Sequence, residues 1–473
     1  MNAIENFTSW AAEFDAPYSD TALSIATDAV IDTFACMLAG VKETGPTRLR
    51  ATLPDLSGLS SGPASVMGLD SGSAPIWAAL ANGTAAHAHD LDDTFLPSIN
   101  HPSSVLTSSL FALAQTRGLS GAAVLDAYII GLELHYLVAR GLMRSHADIG
   151  HHTTSTVGTI AGAAACARLL GLSARQMAHA MSLGVSMAGG IKGQAGSMAK
   201  PLHAGLAAQH SVQGALMAEK GFEGRLEVLD GEWGYLQVCG GPDAQGWSAE
   251  MFAEIGKTAL AIESKGLMVK RYPCCASTHR VLDSLLELRD EYGFREADVE
   301  HITATVPMGN YRNLTYHKPQ TQHQAKFSME YTMAVALLHG NVVLADFDSA
   351  VINSAEVANV LPRMEMKARA AGAEKFNAEI VPPHTVTVRL RDGRVLERDR
   401  IHAKGTLFDP LSDADRWNKF HSCGVAVLND AELKHAYDVL SELRSIPNMR
   451  CVQEAVFDPV AQHLHETPET AAH

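Results

Sequence analysis

No two cysteines in this chain are spaced as CxxC. The seven cysteines, at 36, 166, 239, 274, 275, 423 and 451, are odd in number, and Cys274 and Cys275 are adjacent. Adjacent thiols are a poor start for a structural zinc site. An iron–sulfur cluster needs three or four cysteines at ligand spacing, and that spacing is missing. The usage is that of reduced thiols in a cytoplasmic protein. A basic excess is also missing: 37 Lys and Arg stand against 52 Asp and Glu, for a net charge of −15. With no Lys/Arg stripe to offset repulsion from phosphate, nucleic acid is not an expected partner. A small anion remains open, because a pocket can be locally basic inside an acidic protein. No uninterrupted apolar run reaches the roughly 18 residues of a membrane span. The opening MNAIENFTSWAAEFD lacks a basic region followed by an apolar one, so no membrane partner and no signal peptide are expected. GxxxxGK[ST] is absent, which weakens phosphate binding as a reading.

What is present is a large apolar content. The chain has 473 residues, 47% hydrophobic and 19% charged, which suits a globular protein of two or three domains. Residues 19–220 read almost wholly as helix. Ser19 or Asp20 caps a stripe of Leu23, Ala26, Val30, Phe34 and Leu38 that ends at Gly40. Further helices are predicted over 75–81, 103–115, 120–142, 154–170, 173–187 and 203–220. The texture changes after about residue 265. Val299–Val306 alternates like a strand, and residues 384–390 and 394–397 around Asp392-Gly393 read as a β-hairpin. Helical patterns at 275–292 and 325–339 interleave with these strands, and 412–446 returns to helix. The expected fold is mainly α. A large helical domain is built from both chain ends, 1–266 and 406–473, with a smaller α+β domain, 267–405, inserted between them.

The densest chemistry lies in Asn82-Gly-Thr-Ala-Ala-His87-Ala-His89-Asp90-Leu-Asp92-Asp93-Thr94, followed by His101-Pro102. Carboxylates and imidazoles in apolar surroundings form a set suited to proton transfer. His87-x-His89 with three aspartates can also ligate zinc, manganese or iron. However, Asp90, Asp92 and Asp93 cannot all face one ion in a regular segment. The plain alternative is that His87 and His89 satisfy buried backbone groups. In Gly150-His151-His152-Thr153-Thr154, a threonine is the expected helix cap. Lys192 and Lys200 flank a glycine-rich loop that ends in Pro201 and His203, a candidate carboxylate cradle. Lys270-Arg271 precede Cys274-Cys275 and a helix start, a second place suited to an anion. Cys275 as a nucleophile would need a lowered thiol pKa; a buried cysteine is more simply core. Tyr331 reads first as a core aromatic.

Taken in order, NGTAAHAHDLDDT, HHTTSTVGTIAGAAA, MAKPLHAG, KRYPCCASTHRVLD, AKFSMEYTMAVALLHG and GTLFDPLSDADRWNKF resemble the MmgE/PrpD family over about residues 20 to 425. The resemblance implies a helical domain with a smaller α+β lid, a homodimer, and an active site in the cleft between the domains. It also implies chemistry without a metal or other cofactor. By motif, it makes His101, His152, Asp90, Lys200 and Tyr331 catalytic. Thr94, His203 and Lys270 are then the groups that bind substrate, joined by Lys192 from the reading of its loop as a carboxylate cradle. The family reactions move a proton at a carbon next to a carboxylate. Lysines suit the charge that develops there, and imidazoles exchange protons near neutral pH. The expected function is a metal-independent lyase on a small di- or tricarboxylate. Cys274-Cys275 stand where vertebrate-type decarboxylases carry a histidine, so a 2-methylcitrate dehydratase-like reaction ranks first. An iminodisuccinate-type epimerase and a cis-aconitate-type decarboxylase are the family alternatives. A metal-dependent hydrolase and a non-catalytic polyanion-binding protein are the alternatives of other classes.

Overall fold

The structure, a computed structural model, describes residues 1–58, 61–369 and 382–466. The chain forms two compact units. One comprises Met1–Met268 with the return from Arg416, and the other comprises Val269–Asp415. The sequence reading put the breaks at 266/267 and 405/406.

The first unit is helical. Its helices are α1 (Ala3–Glu13), α2 (Asp20–Gly40), α3 (Thr44–Ser57), α4 (Pro75–Ala86), α5 (Pro102–Arg117), α6 (Gly121–Asp148), α7 (Thr153–Leu169), α8 (Ala174–Met187) and α9 (Ala199–Glu219). A short hairpin, β1 (Ala64–Val66) and β2 (Leu69–Ser73), precedes α4. Local chemistry sets many of the boundaries. The hydroxyls of Ser19, Ser120 and Ser173 accept N-terminal amides of α2, α6 and α8. Pro75 and Pro102 open α4 and α5, and Gly118 closes α5 in the left-handed region. α5, α7 and α9 bury small residues on most of their faces. By length and composition, α2 and α6 are long and apolar enough to cross a membrane, and most of each apolar stretch is buried within this unit.

Two expectations are corrected here. α9 begins at Ala199, not His203, so Lys200, Pro201 and His203 all lie in its first turns. Proline is accepted there because the first amides of a helix lack intrahelical partners. The residue preceding α7 is His152, with no side-chain cap bond, rather than a threonine. Thr153 and Thr154 bond to residues 99–101 instead.

Glycines bring two helices together at backbone distance. A β-carbon on Gly205 of α9 would stand 2.2 Å from the Leu80 carbonyl oxygen of α4. Close approach explains why a glycine is kept inside a helix, where it costs about 1 kcal/mol relative to alanine. It also sets the end of α4, with His87, beside the start of α9, with Lys200 and His203.

The second unit is α+β. Strands β3 (Val299–Val306), β4 (Met364–Ala368), β5 (His384–Leu390) and β6 (Val395–Arg400) form one sheet in the order β4-β3-β5-β6. β3 and β4 are parallel, and the other two pairings are antiparallel. Helices α10 (Ala276–Tyr292) and α11 (Met329–His339) pack on each other and on the sheet. Their shared core includes Leu282, Leu285, Ile302, Tyr331, Val386 and Val388. α12 (Asp413–Gly424) and α13 (Asp430–Ser441) carry the chain back through the first unit.

Candidate active site

α4 ends at Ala86, and the chain turns sharply through Asp90, whose φ is +57°. A non-glycine residue in the left-handed region is uncommon, and aspartate tolerates it better than most. The turn separates the aspartates. His87 Nδ1 lies 3.0 and 2.9 Å from the two carboxylate oxygens of Asp92, with both side chains almost fully buried. His101 stands between two carboxylates: Nε2 is 3.5 Å from Asp90 Oδ1, and Nδ1 is 3.5 Å from Asp92 Oδ1. The Lys200 ammonium donates to Asp90 Oδ1 at 2.8 Å. A cation, a carboxylate and an imidazole therefore run in sequence from α9 to the start of α5.

Two more imidazoles complete the set. The His87 ring centroid lies 4.7 Å from that of His101 and 5.7 Å from that of His152. His152 Nδ1 lies 3.0 Å from His203 Nδ1. Burial, followed by the charges of His87 and Lys200, holds His152 down to about 2, so its ring is neutral. The same causes lower His203. The Thr154 hydroxyl accepts the His101 amide at 3.2 Å, and Thr153 donates to the Ile99 carbonyl at 2.5 Å. These two bonds fix the His101 and His152 segments to each other.

Asp93 faces elsewhere. Ser103 donates to it, and Ser103 Oγ lies 2.5 Å from the Tyr128 hydroxyl. Burial pushes the Asp93 carboxyl up to about 8 against the opposing bond from Ser103, with Asp32 and Asp92 adding to the rise. Asp93 is thus a neutral acid near pH 7. Thr94 is held by paired backbone bonds to Met268, each 2.9 Å. Its buried hydroxyl has no partner among the described residues. His89 turns to the Ala39 carbonyl at the end of α2, so the His87-x-His89 pair does not converge. Lys192 flanks the set rather than joining it. Its ammonium donates to the Ala147 carbonyl at 2.5 Å, and its loop pairs with the backbone at Gly150.

Donor atoms of His87, Asp90, Asp92 and His101 lie within 4.8 Å of one another, close enough to hold a metal ion. Their present bonds fit an ion poorly. A divalent cation there would compete with the Lys200 ammonium for Asp90 and with the His87 ring for Asp92. Both carboxylates already have a protein partner carrying hydrogen, which suits proton transfer.

The sequence model of the MmgE/PrpD N-terminal domain matches residues 5–247, and that of the C-terminal domain matches residues 272–443. The chain belongs to the MmgE/PrpD family. It is 29% identical over 386 residues to the cis-aconitate decarboxylase of Homo sapiens, covering 79% of this chain and 77% of that protein. The Mus musculus cis-aconitate decarboxylase is 27% identical over 400 residues, 82% of this chain and 80% of the relative. That of Aspergillus terreus is 22% identical over 461 residues, 92% and 91%. The MmgE/PrpD protein described here is accordingly an enzyme of the lyase class.

In this MmgE/PrpD chain, Lys270 and Tyr331 belong to the second unit. Lys270 is 2% exposed. Tyr331 lies in the core, and its hydroxyl donates to the Asp346 carbonyl. Arg271, beside Lys270, faces the carboxylates of Asp283 and Asp415 at 3.4 and 3.6 Å. Cys274 is buried, and burial pushes its thiol up to about 12. Sequence reasoning missed Asp92 as the carboxylate shared by two imidazoles. It gave Asp93 no role of its own, whereas the fold holds it as a buried neutral acid beside Ser103. The signal for both was the Asp-Leu-Asp-Asp run itself, but which carboxylate meets which ring depends on the turn at Asp90.

Proposed function

We propose that this enzyme removes carbon dioxide from an unsaturated tricarboxylate of the cis-aconitate type. The observation that carries the reading is the Lys200–Asp90–His101 series. A substrate carboxylate can share the Lys200 ammonium with Asp90. His101 then stands where it can deliver a proton to carbon. In that reaction the bond to the departing carboxylate breaks. Its electron pair passes into the neighbouring unsaturated carboxylate system, and one proton is taken up at carbon. A cation fixed beside the accepting carboxylate lowers the barrier because charge develops there. The likeness to three decarboxylases over 79–92% of the chain supports this choice and moves it ahead of the dehydratase ranked first from the sequence.

A 2-methylcitrate dehydratase-like reaction is the second reading. It needs a base and an acid on one substrate, and the neutral His152 and the carboxylate-flanked His101 are such a pair. Proton NMR in deuterium oxide with cis-aconitate, 2-methylcitrate and iminodisuccinate separates the reactions. Deuterated product with carbon dioxide release supports decarboxylation. Water loss supports dehydration, and α-proton exchange with inversion supports epimerisation. The helical unit is proposed to form a homodimer, the commonest soluble oligomer, since it leaves Met143, Ile149, Ile191 and Met198 about half exposed. Light scattering at micromolar concentration that gives 50.5 kDa would count against a dimer.

A further inference from the structure

Lys419 lies on α12, 328 residues from Leu91, inside the segment GTLFDPLSDADRWNKF but with no role assigned to it from the sequence. Its side chain is 6% exposed, and its ammonium stands 2.5 Å from Asp32 Oδ1 on α2, itself 7% exposed. The same ammonium donates to the Leu91 carbonyl at 3.1 Å. That carbonyl belongs to the peptide joining Leu91 to Asp92. The bond therefore fixes the plane of one of the two peptides that join the two carboxylates flanking His101. Just before it, Asp90 occupies the left-handed region, a conformation that surrounding structure must hold.

A buried ion pair adds little net stability, because each charge gives up its hydration. Stability is thus a weak reason to keep a lysine here. What an apolar pair could not supply is a directed N–H to Leu91 and a positive charge beside Asp32. Among the described residues, five other titratable groups surround the pair, one of them the buried, neutral Tyr128 on α6. Cys36 lies on α2, Cys423 on α12, and Asp92 and Asp93 on the signature turn. Burial raises both thiols, so they stay neutral. Asp93 is neutral as well. The Asp32 charge adds to the rise at Asp93, and Lys419 stands directly beside the Asp32 carboxylate.

We infer that Lys419 is a positioning residue of the active site, pinning the Leu91–Asp92 peptide so that Asp90 and Asp92 stand on either side of His101. The inference rests on the proposed reading only for where catalysis occurs.

Three variants test it: Lys419→Met, Lys419→Arg and the double variant Asp32→Asn/Lys419→Met. The single methionine variant removes the cation beside the buried Asp32 carboxylate, and its fold will suffer. The double variant removes both charges and keeps the question answerable. Two readouts are taken: kcat and KM with the substrate found by NMR, and the pH titration of the His101 ring nitrogens by ¹⁵N NMR. The double variant should fold, keep KM within about threefold, and lose about 10²-fold in kcat, the scale of a misplaced reacting group. Its His101 titration should move, and Lys419→Arg should restore most of both. A folded double variant with wild-type kcat and wild-type His101 titration would overturn the inference. If the wild-type enzyme turns over none of the acids tried, the proposed reaction fails, and the His101 titration alone decides the role of Lys419.

Discussion

The Nδ1 atoms of His152 and His203 lie 3.0 Å apart. In such a bond, one ring carries the hydrogen and the other the lone pair. Because burial and neighbouring rings hold His152 down to about 2, the pair is linked as neutral imidazoles. His152→Ala should lower kcat by about 10²–10⁴-fold, the usual loss of a general acid or base. His203→Ala should lower it less, by loosening the tautomer of His152, and His203→Asn less still. Neither ring should add an inflection to the kcat profile between about pH 7 and 9, well above an ordinary imidazole pKa. Steady-state kinetics across pH measures both effects. An unchanged kcat in His203→Ala would remove the pair from the mechanism.

Lys200 is partnered by Asp90 alone among the contacts described, at 2.8 Å, with both side chains about a fifth to a quarter exposed. Lys200→Ala should raise KM and lower kcat together, since its charge meets the substrate carboxylate and also the charge formed in the transition state. A rise in KM at constant kcat would restrict it to binding.

His101 and His87 should differ in kind. His101→Ala should lower kcat by about 10²–10⁴-fold with a small loss of stability. His87→Ala removes the nearer of the two imidazoles from the buried Asp92 carboxylate and should cost about 1–3 kcal/mol in unfolding free energy, the scale of a lost buried hydrogen-bond partner. Denaturant melts and kinetics on the folded fraction separate the two. The reverse pattern would exchange their roles.

Asp93 gives a pH signature. Its carboxyl sits at about 8 in the fold against about 3.9 in an unfolded chain. Between those values the native state binds the extra proton, so stability is full below about pH 4 and falls as pH rises toward 8. Asp93→Asn keeps a neutral group of the same shape. It should flatten this slope and exceed wild type at pH 9 by about 1 kcal/mol or more. Urea midpoints at pH 5, 7 and 9 measure it; parallel slopes in the two proteins would refute it.

Activity should survive prolonged EDTA treatment, because the cluster of His87, Asp90, Asp92 and His101 is already bonded within itself and to Lys200. Loss of activity with chelator, restored by one metal, would return the case to a metal-dependent hydrolase or lyase.

Much of the fold was legible because its causes are local. Serine caps, the proline at the start of α4, Gly118 and the Asp392-Gly393 turn each mark a boundary through chemistry within a few residues. The starts of α7 and α9 were misplaced for a reason outside that range. Thr153 and Thr154 had the composition of caps, yet their hydroxyls serve Ile99 and His101. Pro201 was taken as the boundary although the helix already runs through it. β4 went unread because its pairing with β3 is parallel and distant in sequence.

The sequence by itself determined the family, the helical and α+β parts, and the residue types able to move a proton beside a carboxylate. Periodicity, caps and ordered motifs are enough for that, since each is written in neighbouring residues. Only the tertiary structure decided the partners. The turn at Asp90 sends Asp90 and Asp92 to His101 but Asp93 to Ser103. Gly205 lets α9 touch α4 and so brings Lys200 and His203 beside His87. Lys419 reaches Leu91 across 328 residues. Hydrogen bonds and ion pairs act over about 3 Å, so their partners follow from where the packed helices stop, which no local pattern specifies.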